Sequence, residues 1–275
     1  MRGDPVAHQQ TTADSAVPSA RRGQDQGPRR PLRASDVIRK VSQVMGELLI
    51  TAGIVLLLFV GWELWWTNVD ANAKQTEAVQ AFAQEFTGPV TPQNPAEPVD
   101  FGPPVVGTAP AYGETIGIMY IPRFGADYTR PIIEGTGSDV LDTLGLGRYE
   151  STSMPGALGN FAVAGHRQTH GAVLDNIHTL VPGDKIYVQT ADGYYTYVFR
   201  NNQIVLPNRT DVLMPVPTQP GVTPKESILT MTSCNPRFGS QERIIAYSIL
   251  ESWRPASAGP PSEIAAQVAQ AHGKA

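Results

Sequence analysis

Ser227-Ile228-Leu229-Thr230-Met231-Thr232-Ser233-Cys234 runs eight residues without glycine, proline or charge and ends on the only cysteine of a 275-residue chain. Such a run reads as a buried strand. Nine residues later Arg243 opens another apolar run, Ile244-Ile245-Ala246, and far upstream Phe161-Ala162-Val163-Ala164-Gly165 delivers His166. Two strand-like segments thus present a reactive side chain at their C-terminal ends, and a third begins with a fixed cation. A thiol, an imidazole and a guanidinium are the parts that acyl transfer through a thioester requires.

Outward from this stretch the pattern stays β from Tyr112 to Arg254. The predicted strands are Thr115–Ile121, Thr129–Glu134, Asn160–Arg167, Lys185–Thr190, Tyr194–Leu206, Ile228–Cys234 and Arg243–Glu251. Several alternate apolar and polar residues, as in Tyr195-Thr196-Tyr197-Val198-Phe199, and Pro-Gly and Asp-Gly pairs punctuate the joints. Seven or eight short strands with few long helices imply a mainly β fold, a closed or nearly closed barrel spanning 112–254.

Upstream lies a run of a different kind. Residues 48–66 are apolar except for Thr51 and Glu63 and end in Trp62, Trp65 and Trp66. Nineteen helical residues span roughly 28 Å, about the thickness of a hydrocarbon core, and the tryptophans suit the interface. A transmembrane anchor over 44–66 follows. Residues 1–43 form an expected disordered basic tail; the first forty hold eight basic and four acidic residues, a net of +4 against −4 for the whole chain. Arg29, Arg30, Arg33, Arg39 and Lys40 precede the apolar run, so the tail is expected in the cytoplasm and everything after Trp66 outside. A cleavable signal ending near Ala71-Asn72-Ala73 is the competing reading. Residues 67–111 read as a stalk or docking helix, with Val79, Phe82 and Phe86 at helical spacing, and then a Pro-rich spacer. Residues 255–275 read as a flexible tail, weakly helical over 262–271.

A domain outside the membrane with one cysteine holds no internal disulfide, so the thiol needs another reason to be there, although a lone cysteine also serves as a small buried apolar residue. His166 is the best partner for Cys234. His170 and His178 fall in the loop after its strand, His8 lies on the other side of the membrane and His272 in the tail. The glycine before His166 permits close backbone approach. Arg243 suits an oxyanion because its two-pronged donor is permanently charged; Arg237, within the intervening loop, is its local competitor. No zinc-ligand spacing, phosphate loop or G-x-S-x-G elbow occurs, so no cofactor or metal is expected, though scattered loop Asp and Glu leave an ion such as calcium open. The acidic outer domain disfavours nucleic acid.

Together these stretches resemble the sortases, membrane-anchored cysteine transpeptidases of Gram-positive bacteria, and look most like their class E branch. The family's T-L-x-T-C motif is matched by Thr230-Met231-Thr232-Ser233-Cys234, with Met for Leu and Ser for Thr. Its G-H-R is matched by Gly165-His166-Arg167, followed by Thr169-His170-Gly171-Ala172, and its arginine by Arg243 within Glu242-Arg243-Ile244-Ile245-Ala246. Pro155-Gly156-Ala157-Leu158-Gly159-Asn160 and Leu180-Val181-Pro182-Gly183-Asp184 are similar to its connecting segments.

The resemblance implies an eight-stranded barrel with His166, Cys234 and Arg243 at one end of a groove. It implies cleavage of an L-P-x-T-G or L-A-x-T-G sorting signal between Thr and Gly, with transfer to an amine. The implied partners are sorting-signal-bearing surface proteins or pilins, and an amine acceptor from a peptidoglycan precursor or a pilin lysine. Leu206-Pro207-Asn208-Arg209-Thr210 is not itself such a signal, and no apolar C-terminal tail is seen. The rival readings are an L,D-transpeptidase, whose Ser-His-Gly-Cys loop Thr232-Ser233-Cys234-Asn235 does not match, a purely hydrolytic cysteine peptidase, and a membrane-tethered β-domain for adhesion or scaffolding with an inert cysteine.

Overall fold

A computed structural model describes residues 33–93 and 99–273. Eight strands close into a barrel: β1 (Thr115–Tyr120), β2 (Thr129–Glu134), β3 (Leu146–Arg148), β4 (Gly159–Ala164), β5 (Lys185–Gln189), β6 (Gly193–Val205), β7 (Ser227–Asn235) and β8 (Glu242–Pro255). Around the barrel they run β1-β2-β3-β4-β7-β8-β6-β5, and β5 pairs back to β1. Two of the pairings, β2 with β3 and β4 with β7, are parallel; the others are antiparallel. Closure leaves no free sheet edge. The mainly β barrel expected from the sequence is therefore the fold, and seven of its strands match predicted runs. The eighth, β3, has three residues, too few to show an alternation.

The interior is filled by inward side chains such as Met119, Ile132, Phe161, Val163, Leu229, Met231, Tyr197 and Ile244. β3 is locked to β2 by a buried ion pair. Glu134 and Arg148 are register partners, and the guanidinium donates from Nε and Nη2 to the two carboxylate oxygens at 2.7 and 2.6 Å, with the side chains only 3–4% exposed. Arg148 also donates to the Thr152 carbonyl.

The outer face of one side of the barrel is buried too. Along β1 and the residue after it, Met119 and Ile121 turn inward while Ile118 and Tyr120 turn outward, join Tyr187 and Tyr194, and are covered by helices. A continuous apolar run marks a strand covered on both faces, and Ile118-Met119-Tyr120-Ile121 is one. One cover is helix α1 (Ala34–Glu85). Ala71, Gln75, Val79 and Ala83, four residues apart, form its buried stripe. The other is α3 (Ala265–Ala271) with Ile264 before it; Ile264 and Val268 are fully buried. Each such side chain contributes about 1.5–3 kcal/mol of burial.

These contacts correct two expectations and decide a third. Residues 255–273 are not a flexible tail, because Ile264 and Val268 complete an apolar patch that β1, β5 and β6 cannot cover alone. Of the stalk and the docking helix that the segment after Trp66 allowed, the docking helix forms. The Pro-rich segment does not hold the barrel at a distance: the Tyr195 hydroxyl donates to Val105 O at 2.6 Å and the Trp253 indole to Gly102 O at 2.8 Å, so residues 99–110 follow the barrel wall. Burial pushes the Tyr195 phenol up to about 12, which keeps it a donor.

The chain comprises two compact units, Met1–Ile54 and Val55–Ala275. In the first, α1 already begins at Ala34, within the stretch 1–43 expected to be disordered, because adding turns to an existing helix costs little compared with nucleating one. The expectation for residues 1–32 lies outside the described residues. Helix α1 is long and apolar enough to cross a membrane.

Glu134→Ala strands a buried guanidinium and is expected to cost about 3–5 kcal/mol. Denaturant unfolding of the variant measures this, and a loss under about 1 kcal/mol contradicts the role given to the pair.

Candidate active site

β4 and β7 run parallel and in step, from Gly159↔Ser227 to Ala164↔Thr232. Gly165 N donates to Thr232 O at 3.1 Å, and the Ser233 hydroxyl donates to Gly165 O at 2.8 Å. His166 follows the last paired residue of β4, Ala164, by two positions, as Cys234 follows Thr232 on β7. A Cβ on Gly165 would lie 2.7 Å from Val173 Cγ2 and 2.9 Å from Leu146 Cδ2, so the close approach there requires glycine. β7 and β8 are antiparallel, with Cys234 the direct partner of Arg243. The thiol is free and half-buried. His166 and Cys234 line one open cleft of about 290 Å³ together with Arg167, Gln168, Thr169, Phe238, Gly239 and Ser240. Phe238, 75% exposed and at φ 66°, forms its apolar rim.

The Arg243 guanidinium donates to Ser240 O at 3.0 Å and Glu242 O at 2.9 Å, so it is held against the β7–β8 loop and is not among the residues that line the cleft. Arg237, its competitor, bonds Asp175 Oδ2 at 2.6 Å and lies over the Phe238 ring. His170 stands beside His166, with ring centroids 5.1 Å apart. His178 is exposed and bonded to Asp175 O, His272 contacts Phe86, and His8 lies outside the described residues. Among the described residues no three or more His, Cys, Asp or Glu gather as metal ligands.

The predicted strand Asn160–Arg167 ends earlier, at Ala164, because the chain then enters a loop closed by Leu174 N donating to His166 O at 2.9 Å. Two groups missed in the sequence reading hold this loop. Asp142, just after the short helix α2 (Ser138–Leu141), bonds His166 Nε2 through Oδ1 at 2.7 Å and His170 Nδ1 through its backbone carbonyl at 3.1 Å. A carboxylate at Nε2 accepts, so the neutral imidazole carries its proton there. Nothing marks Asp142 in the sequence, because no motif contains it and it lies 24 residues from His166.

Arg167 is the second. It is 5% exposed, and Nη1 donates to Cys234 O at 3.2 Å and Asn235 Oδ1 at 2.6 Å. Burial lowers its pKa, opposed by Asp175. Its place in the G-H-R triplet was visible, but its grip on the end of β7 was not. Tyr128 completes the support by donating to Val173 O at 2.8 Å, and burial pushes its phenol well above the usual tyrosine range.

The barrel thus carries a thiol on β7, a guanidinium opposite it on β8 and an imidazole just beyond β4. Residues 119–251 match the sortase domain model. The chain is 34% identical to sortase SrtE1 of Streptomyces coelicolor over 87% of this chain and 69% of that one. Among solved structures it is similar to the SrtA sortase of Actinomyces oris, at 38% identity and TM-score 0.57, covering 60% of this chain and 94% of that one. It is also similar to sortase E1 of Streptomyces coelicolor solved with a tripeptide in the active site, at 37% identity and TM-score 0.50, covering 57% and 99%. The chain belongs to the sortase family, and its likeness runs to the class E branch. Members of the family are transpeptidases.

Arg167→Ala removes the donor to Cys234 O and Asn235 Oδ1 and is expected to cost about 1.5–3 kcal/mol. Denaturant unfolding checks the value; an unchanged midpoint shows that the end of β7 is held by other contacts.

Proposed function

We propose that this protein is a membrane-anchored cysteine transpeptidase that cleaves an L-A-x-T-G or L-P-x-T-G sorting signal between Thr and Gly and passes the acyl group to an amine. The observation that carries the reading is that His166 and Cys234 line one cleft while Arg243 is the direct partner of Cys234 across β7–β8. The tripeptide in the active site of the Streptomyces coelicolor relative is in line with a peptide ligand here.

Cys234 Sγ attacks the Thr carbonyl carbon, the thiol proton passing to His166 Nδ1. The carbonyl oxygen takes the negative charge, and Arg243, turned from the loop carbonyls, stabilises it. As the C–N bond breaks, His166 returns the proton to the leaving glycine amine. An incoming primary amine, from a peptidoglycan precursor or a pilin lysine, attacks the thioester; His166 takes its proton and the thiolate leaves to be reprotonated. Asp142 holds the imidazole in the tautomer this relay needs. In this reading α1 spans the cell membrane once, with the N-terminus cytoplasmic and the barrel outside.

The full-length protein in detergent, given both peptides and a glycine-based amine, is expected to form a thioester on Cys234 and a ligated product, both seen by mass spectrometry. Cys234→Ala abolishes both. An adduct that only hydrolyses favours a cysteine peptidase, and no adduct with either signal rejects the proposed substrates. His166→Ala and Arg243→Ala are each expected to lower turnover by about 10²-fold or more with the fold intact by circular dichroism; near-normal rates remove the residue from the mechanism.

A further inference from the structure

The loop that carries His166 is held from outside the barrel by α1. Asn68 Oδ1 accepts from Gly171 N at 2.8 Å, and Gln75 Nε2 donates to His170 O at 3.3 Å. The two side chains are seven residues apart, about two turns, and so project from one face of the helix. Gln75 is 1% exposed, an unusual burial for an amide, and a Cβ on Gly171 would lie 2.5 Å from its Nε2. The helix therefore touches the loop at its backbone, where a glycine makes room.

The loop needs such a partner. His170, Gly171 and Ala172 have φ of 53°, 85° and 46°, three consecutive left-handed residues of which two are not glycine. That conformation is unfavourable for any residue with a Cβ and persists only where the surroundings impose it. A shift of the tip carries the His170 ring, which lies 5.1 Å from that of His166 and is bonded to Asp142 O, the residue whose carboxylate holds His166 Nε2.

We propose that Asn68 and Gln75 are positioning residues of the active site, so that α1 is part of the catalytic apparatus and not only a tether. This rests on the transpeptidase reading, in which His166 moves the proton. Asn68 follows Trp66 by two residues, so the brace begins where the apolar segment ends.

The test uses the full-length protein in detergent micelles, with Asn68→Ala, Gln75→Ala, the double variant and Asn68→Asp, which keeps an acceptor for Gly171 N. Peptide-transfer kinetics, thermal unfolding and hydrogen–deuterium exchange of the segment 166–174 are followed by optical and mass-spectrometric detection. The alanine variants are expected to lose roughly 10–100-fold in kcat, the order expected for a misplaced catalytic group, with faster exchange in 166–174 and an unfolding midpoint close to that of the parent. Asn68→Asp recovers most of the rate. Parental kcat in the double variant, or an Asn68→Asp rate as low as that of Asn68→Ala, overturns the proposal. If the parent protein itself transfers no peptide, the proposed function fails, while unchanged exchange in the double variant separately rejects the brace.

Discussion

The in-step parallel pairing of β4 with β7 is the constraint on which the rest of the molecule depends. Parallel strands cannot be joined by a tight turn, and the connection here consists of β5, β6 and their loops, which must themselves pair elsewhere in the barrel. The ladder thus closes the barrel and sets the site together. Side chains alternate along a strand, so a slip of one residue turns a whole strand over. It would put either Phe161 and Val163 of β4 or Leu229 and Met231 of β7 out of the core. The apolar pattern that stabilises the barrel also enforces the register that aligns the two reactive groups.

Rigidity at the end of that ladder comes from groups that make no claim to chemistry. Gly165 allows Val173, Leu174 and Leu146 to close over the backbone, the Ser233 hydroxyl bonds Gly165 O, and Arg167 holds Cys234 O. The cleft is consequently built on strand ends, with one wall made by the loop from β7 to β8 and another by the loop from His166 to Leu174. The same helix that covers Ile118, Tyr120, Tyr187 and Tyr194 reaches the second loop through Asn68 and Gln75. Stability of the outer face and placement of the imidazole share one element.

Much of this was legible along the chain. Ser227–Cys234, Phe161–Gly165 and the alternation around Tyr195–Phe199 name their strands because burial writes a period into the sequence. The apolar run 48–66 does the same for the helix. β3 was missed because three residues carry no period. The packing of Ile264 and Val268 was missed because an Ala-rich turn looks weak until the patch it fills is known, and that patch is assembled from β1, β5 and β6. Asp142 and Asn68 were missed because a single polar residue in a loop or on a helix says nothing of which backbone or ring it will meet.

The residue types themselves, one thiol behind an apolar run, a histidine behind a glycine and an arginine at a strand start, were determined by sequence alone, as were the barrel class and the apolar segment. These are local quantities, set by composition and by spacing between near neighbours. Tertiary structure alone decided that His166 and Cys234 line one cleft, that Arg243 faces the loop carbonyls, and that a helix outside the barrel supports the histidine loop. Those relations join residues far apart in the chain, and only the closing of the barrel, with its single register that buries every apolar face, brings them within reach of one another.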